Sequence, residues 1–552
     1  MYIQANIKKV GSKIYRSLLL VENYREDKKV KHKVIANLTS WSSAMVEGLR
    51  CLIKGKSLAS VENFALKAGK SFGGLFALME LAKKLFIKNI FGSSSHGKLA
   101  MLLVLGRILT QGSRRHLTFW KDGQAIEEVL QVSKFDEDDL YETLDWLEKH
   151  QAEMEDKWFR LRFENQKAEF FLYDVTSSYL EGQYNELATY GYNRDGKKGK
   201  KQIMIGLLTT KDGAPVAVEV FEGNTSDVTT VPAQIKKMVE RFGVTDVTFI
   251  GDRGMVKRIP IELLGSQGWH YITAITKPQI ESLIRKNVFQ LELFENKLAE
   301  VVHEGIRYCL RRNSERQKEI QNNRKEKIAK IENCCEKLNG KLQSKPRAKS
   351  ATAVKELKGK INQLKLEDIL KIETSDRTLT IKKDSAAIKK VEELDGCYVI
   401  KSDVAPEKMN ADQVHDTYKT LSKVEFAFRT MKTGLLEIRP LFHRKANRTR
   451  ACAFVAMLAY AVSHELQKKT IHLGRPLENV IASLDQIQMQ ELKINDEWTP
   501  ILPTELREDQ KQILEAIGVV LPKTIRRAPP CVTKKRKTCS YDKKTASSPA
   551  NP

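Results

Sequence analysis

Asp174 closes the apolar run Phe170-Phe171-Leu172-Tyr173, Asp252 ends a second run, Val247-Thr248-Phe249-Ile250-Gly251, and Glu425 lies within a helical pattern of core and polar stripes. Brought together, three carboxylates cannot all stay ionised cheaply without a compensating cation, and hard oxygen donors suit Mg²⁺ or Mn²⁺. The chemistry expected of such a set is phosphoryl transfer with two metal ions, one activating a water or hydroxyl and the other stabilising the leaving oxygen. A His or Lys general base is then not required, because the metal lowers the pKa of its nucleophile.

Glu425 has the most telling surroundings. It lies seven residues after Tyr418 and seven before Lys432, so at 3.6 residues per turn the three are expected on nearly the same side of one helix. Beside them Leu421, Val424, Phe428, Met431 and Leu435 follow 3,4,3,4 spacing, a seam that would dock the helix on a core. The exposed edge would then offer a carboxylate flanked by a phenol and an ammonium, both suited to phosphate oxygens. Each residue also has a plainer reading. A single Asp at a strand end is commonly a turn or helix cap, and Glu425 with Lys432 could form a solvated helix face. The order strand-Asp, strand-Asp, helix-Glu favours the joint reading.

Three stretches carry a resemblance to a known family: Phe171-Leu172-Tyr173-Asp174-Val175-Thr176-Ser177, Ile250-Gly251-Asp252-Arg253-Gly254-Met255, and Tyr418 through Arg429. They resemble the DDE transposases of bacterial insertion sequences, in the branch whose signature is Tyr, two residues, Arg, three residues, Glu, six residues, Lys. Tyr418, Glu425 and Lys432 match that signature, whereas Leu421 stands where Arg is usual. Lys423 or Arg429 could supply the missing charge. The resemblance runs over about residues 168 to 465 and implies an α/β fold: a ribonuclease-H-like mixed-sheet catalytic core, interrupted by an insertion of β strands and a helical hairpin. It further implies catalysis and metal binding by Asp174, Asp252 and Glu425, phosphate contacts from Tyr418, Lys432, Lys423, Arg429 and Arg253, and two Mg²⁺ (or Mn²⁺) ions. The expected partners are double-stranded DNA, as terminal inverted repeats and as target, and a second copy of the chain in a synaptic homodimer. The activity implied is cleavage at the element's ends and strand transfer into target DNA. Two other classes compete with it: a degenerate DNA-binding repressor or architectural protein, and a nuclease without strand transfer.

Composition agrees with a polyanionic partner. Lys and Arg total 94 against 69 Asp and Glu, a net charge of +25, more than a protein handling small neutral molecules needs. The 8 Cys show no paired metal spacing and read as reduced thiols. No signal peptide is visible, and the longest strongly apolar run, Ala451 to Val462, is too short to cross a bilayer. A cytoplasmic protein, nucleoid-associated when bound to DNA, is the expectation.

The elements that must position these groups follow in order. Residues 1–42 alternate like a small sheet, and 43–165 turn helical, with Arg107, Arg114, Arg115, His116 and Lys121 forming a basic edge that could bind transposon ends or merely pack. The core is expected over 166–262 and 405–470. There Gln202–Thr209 and Ala214–Phe221 flank the turn Lys211-Asp212-Gly213, and a helix near Pro232–Phe242 precedes the strand ending at Asp252. The 172 residues between Asp252 and Glu425 are too many for a structureless loop. An insertion over 263–404 is expected to hold a helical hairpin at about 311–370, with seams Ile328, Ile331, Cys335, Leu338, Leu342 and Val354, Leu357, Ile361, Leu364. Residues 311–360 hold 16 Lys or Arg against 6 Glu, suiting either a soluble coiled coil or an arm along DNA. A helical region over 471–522 and a disordered basic tail over 523–552 complete the chain.

Overall fold

The computed structural model describes all residues except 27–28, 57–64, 164–169, 243, 245–246, 254, 257, 296, 433–435, 437, 495–496, 504 and 526–552. The basic tail read from the sequence therefore lies almost wholly outside the described residues. At the amino terminus β1 (Tyr2–Val10), β2 (Lys13–Glu26) and β3 (Lys29–Asn37) form an antiparallel sheet in that order, as the alternating pattern predicts. Strand β4 (Ala65–Ser71) follows one helix later.

The central sheet begins with β5 (Phe170–Tyr179), β6 (Gln202–Thr210), β7 (Pro215–Glu222), β8 (Thr248–Gly251) and β9 (His270–Ala274). β5 and β6 read as nearly continuous apolar runs because both faces of the sheet are covered. Gly213 takes a φ of +88° in the turn joining β6 to β7, a conformation open to glycine at no steric cost. After β7 the chain crosses over through the helix Asp227–Glu240 and returns as β8, which pairs parallel with β5. The first and fourth strands of this unit are thus adjacent and parallel.

The sheet continues past β9. Strands β10 (Ala299–His303) and β11 (Ile306–Arg312) precede the two-stranded β12 (Leu370–Ser375) and β13 (Thr378–Lys383), and β14 (Cys397–Ser402) pairs antiparallel with β9. The full order is β10-β11-β14-β9-β8-β5-β6-β7. The strands expected at about 298–310 and 396–400 therefore extend the central sheet itself. Between β11 and β14 rises the helical hairpin Ser314–Ser344 and Ser350–Leu364, whose seam residues Ile331, Leu338, Leu342, Leu357 and Ile361 are buried against each other and against Leu370 and Leu379 of β12 and β13.

Opposite faces of the sheet carry separate cores. One is packed by Phe159, Tyr173, Val231, Phe249 and Trp269. On the other, the helices Gly73–Lys84, Ser95–Leu109 and Glu137–Phe163 join the sheet and the helix Ala446–Thr470 in one cluster. Ala451 to Val462 is buried all round, which explains an apolar run without an amphipathic stripe. Among the described residues no helix is long and apolar enough to cross a membrane.

The segment expected to be helical over 471–522 includes a hairpin, β15 (Gln488–Ile494) and β16 (Glu497–Ile501), and β15 pairs with β4 from the opposite end of the chain. Short strands whose partner lies some 400 residues away give only a weak local signal, since their stability comes from the partner.

Candidate active site

Register decides where the carboxylates meet. Tyr173 on β5 is level with Gly251 on β8, so Asp174 and Asp252, each one residue further along parallel strands, fall side by side. Asp174 sits in the middle of β5, which runs five residues past it, rather than at the end of the strand as its apolar run suggests. Asp252 comes directly after β8, at the carboxyl ends of the parallel strands, where ligands of open α/β sheets commonly bind.

Glu425 approaches from a helix. The segment expected to be one helix is two, Ala411–Lys419 and Ser422–Lys432. The break has a local cause: the Thr420 hydroxyl donates to the Thr417 carbonyl at 2.6 Å and the Ser422 hydroxyl to the Lys419 carbonyl at 2.9 Å, local bonds that compete with continuing the helix. Tyr418 consequently lies on a different helix from Glu425 and Lys432, which keep their seven-residue spacing on the second. The apolar seam holds nonetheless, with Leu421, Val424, Phe428 and Met431 buried; Leu435 lies outside the described residues.

The electrostatics of the three carboxylates are those of a crowded anionic site. Burial, reinforced by the charges of Asp252 and Glu425, pushes the Asp174 carboxyl up to about 7, despite a 2.8 Å hydrogen bond from the Val175 N–H and the nearby positive charge of Arg194. Asp252 Oδ1 accepts from the Arg253 N–H at 2.7 Å and from the Tyr418 hydroxyl at 3.4 Å. Burial and the negative charge of Asp252 raise the Tyr418 phenol, keeping it protonated as a donor. Glu425 is exposed in the first turn of its helix, where an anion complements the helix dipole. Among the described residues no three His, Cys, Asp or Glu side chains are close enough together to form a ready metal cage. The donor set is all oxygen and the charge around Asp174 is undercompensated, so the residues fit a divalent cation in chemical kind.

The expected phosphate-binding residues separate. Lys432 is buried, its Nζ donating at 2.9 Å to Asp195 Oδ1, which also accepts from Arg439 at 2.6 Å. It therefore points into the protein and ties its helix to the loop between β5 and β6. Lys423 donates to the Lys211 carbonyl at 3.1 Å. Arg429 is exposed and lines, with Glu425, Phe426 and Lys468, an open depression of about 560 Å³. Arg253 is exposed beside Tyr418. Leu421 belongs to the core. Of the basic edge on the helical region, Arg114 turns inward to Cys452 Sγ at 2.8 Å and His443 Nε2 at 3.1 Å.

The residue that sequence reasoning missed is Arg194. Its charge reaches Asp174, and it holds both oxygens of Asp227 at 2.6 Å. The turn-like Asn193-Arg194-Asp195-Gly196 marks a loop in the sequence, but nothing local in it signals that the loop folds back toward the carboxylates.

The chain matches two family models: the IS1634 family transposase, N-terminal domain, over residues 5–64, and the transposase DDE domain over residues 165–462. No curated protein matches it in sequence. Among solved structures it is similar to a cryo-EM structure of a piggyBac transposase synaptic complex with hairpin DNA, at 10% identity and a TM-score of 0.33, covering 74% of this chain and 78% of that one. With the DDE domain model spanning more than half of its length, and the sheet and helix of that domain carrying Asp174, Asp252 and Glu425, the chain belongs to the DDE transposases of insertion sequences.

Proposed function

We propose that this transposase cuts DNA at the ends of its insertion sequence and joins them to target DNA, using Asp174, Asp252 and Glu425 on a ribonuclease-H-like core. The observation that carries the reading is the side-by-side placement of Asp174 on β5 and Asp252 directly after the parallel β8, with the Glu425 charge felt at Asp174. Mg²⁺ or Mn²⁺ ions held by the three carboxylates would supply positive charge to the scissile phosphate and lower the pKa of the attacking water or hydroxyl. Asp174, which feels the charges of both Asp252 and Glu425, would hold the metal together with them.

The remaining residues position these groups. Tyr418 orients Asp252 through its hydroxyl. Lys432 and Arg439 fix the loop carrying Arg194 through Asp195, which places a guanidinium near Asp174 without exposing Lys432 to DNA. Arg253 and Arg429, both exposed, are the cations set to meet phosphates, and Lys423 lies at the margin of the same surface. Two ends must be held together for joining, so a homodimer is the expected working unit. The test is a cleavage and strand-transfer assay on duplexes bearing the terminal repeats, with Mg²⁺ present or chelated. Asp174→Asn, Asp252→Asn and Glu425→Gln should each abolish both steps while duplex binding persists; full cleavage by any one of them removes that residue from the site.

A further inference from the structure

The loop between β5 and β6 unites two features that usually exclude each other. Its backbone is firmly anchored, and its aromatic rings are exposed. Anchoring comes from the Asn185 side chain, which donates to the His443 carbonyl at 2.7 Å and to Thr449 Oγ1 at 2.8 Å. The Gln202 side chain, itself buried, donates to the Tyr192 carbonyl at 3.0 Å and the Gly223 carbonyl at 2.9 Å. Gly191 presses so closely on the neighbouring strand end that a Cβ there would lie 2.2 Å from the Gly223 carbonyl oxygen. Asp195 is gripped by Lys432 and Arg439.

From this fixed base Tyr190 and Tyr192 stand 66% and 83% exposed. Large rings left in water on a rigid segment gain nothing from burial, so their value to the fold is small. Cations are interleaved with them: Lys201 Nζ lies 5.7 Å from the Tyr190 ring centre and the Arg194 guanidinium 6.0 Å from that of Tyr192. Lys197 and Lys198 follow, exposed, on the same loop. The patch is tied to the strand that carries Asp174, since the Arg194 N–H donates to Ser177 Oγ on β5 at 3.0 Å. Exposed aromatic rings alternating with cations are the surface on which single-stranded nucleic acid stacks its bases while its backbone is neutralised.

Resting on the reading of the protein as a transposase, we propose that Tyr190 and Tyr192 form a stacking platform for unpaired bases of DNA beside the cleavage site, with Lys197, Lys198 and Arg194 neutralising the adjoining phosphates. A fully paired duplex hides its base faces, so the platform selects DNA whose strands have separated near the scissile bond.

The test compares full-length protein on two fluorescein-labelled probes, a fully paired duplex and the same duplex with a short unpaired stretch. Wild type should bind the unpaired probe more tightly, by about thirty-fold or more for the two rings together. Tyr190→Ala/Tyr192→Ala should erase that preference, and Tyr190→Phe/Tyr192→Phe should retain it, because stacking needs the ring and not the hydroxyl. Lys197→Ala/Lys198→Ala should weaken both probes and lower the salt slope. Both tyrosines are exposed, so an unchanged melting temperature is expected of both variants and excludes misfolding as the cause. The platform is overturned if wild type shows no preference or if the alanine pair keeps it. If wild type prefers the unpaired probe but cuts no end in the cleavage assay, the platform stands and the transposition reading falls. If it cuts ends while the alanine pair keeps the preference, the platform falls and the transposition reading stands.

Discussion

Replacing Asp174 by asparagine keeps the side chain's shape and removes the charge that Asp252 and Glu425 repel. In the folded chain that carboxyl is raised from 3.8 to about 7. At 1.36 kcal/mol per unit, holding it ionised costs the fold on the order of 4 kcal/mol once the pH exceeds both values. Because the folded-state pKa is the higher one, the Asp174 contribution to stability is greatest below about pH 3.8 and is lost as the pH rises through about 7. Relative to Asp174→Asn, metal-free wild type should lose roughly 3 kcal/mol between about pH 5 and about pH 8. At roughly 2–4 °C per kcal/mol for a domain the size of the core, that is a difference of several degrees in Tm. A divalent cation should reverse the order. With Mg²⁺ or Mn²⁺ at about 100 times its Kd, wild type should gain about 2.7 kcal/mol and the variant little. Thermal melts of both proteins at the two pH values, each with chelator and with metal, read all four states. Parallel melting curves that keep a constant separation across pH and metal would refute the account of Asp174 as a carboxyl raised by burial and by neighbouring negative charge.

Three further outcomes follow from other parts of the fold. Asp195→Ala leaves Lys432 and Arg439 without their shared, nearly buried anion, and should lower stability by about 3–5 kcal/mol in urea unfolding; a variant as stable as wild type would show that the pair does not hold the loop. Excising residues 314–395 and joining Asn313 to Gly396 with a short Gly/Ser linker should leave the sheet intact, because the Asn313 N–H already donates to the Gly396 carbonyl at 2.8 Å and the removed unit has its own core. If that arm touches DNA, each lost phosphate contact lowers the slope of log affinity against log salt by roughly 0.9, and an unchanged slope assigns the arm to structure alone. Burial by itself would raise the Cys452 thiol, but the charge of Arg114 and the His443 ring, 2.9 Å from Sγ, hold it down at about 5; ultraviolet thiolate absorbance at neutral pH should therefore be present in wild type and missing from Cys452→Ser, and equal absorbance in both would remove the thiolate.

Much of the site was legible because its signals are local. Apolar runs of four to five residues ending at Asp174 and Asp252 read as buried strands, and the 3,4,3 spacing of Leu421, Val424, Phe428 and Met431 marks a docked helix face whichever way the backbone is broken. The turn at Lys211-Asp212-Gly213 follows from glycine's access to positive φ. The break at Thr420–Leu421 escaped notice because hydroxyl groups bonding back to the preceding turn leave the apolar period unchanged.

What the amino-acid order determined by itself was the type and sequence of elements, the carboxylates they carry, the helical hairpin and the basic balance of the surface. Those depend on side-chain periodicity and turn chemistry within a few residues. Only the tertiary structure decided that Asp174 lies level with Asp252, that Lys432 turns inward to Asp195, that Arg194 reaches the carboxylates, and that β10, β11 and β14 lengthen the central sheet. The pairings that matter most join residues far apart in the chain, 78 positions for Asp174 and Asp252 and 237 for Asp195 and Lys432, and are set by strand register and by the high cost of leaving a buried charge alone, neither of which is written in any single stretch of the chain.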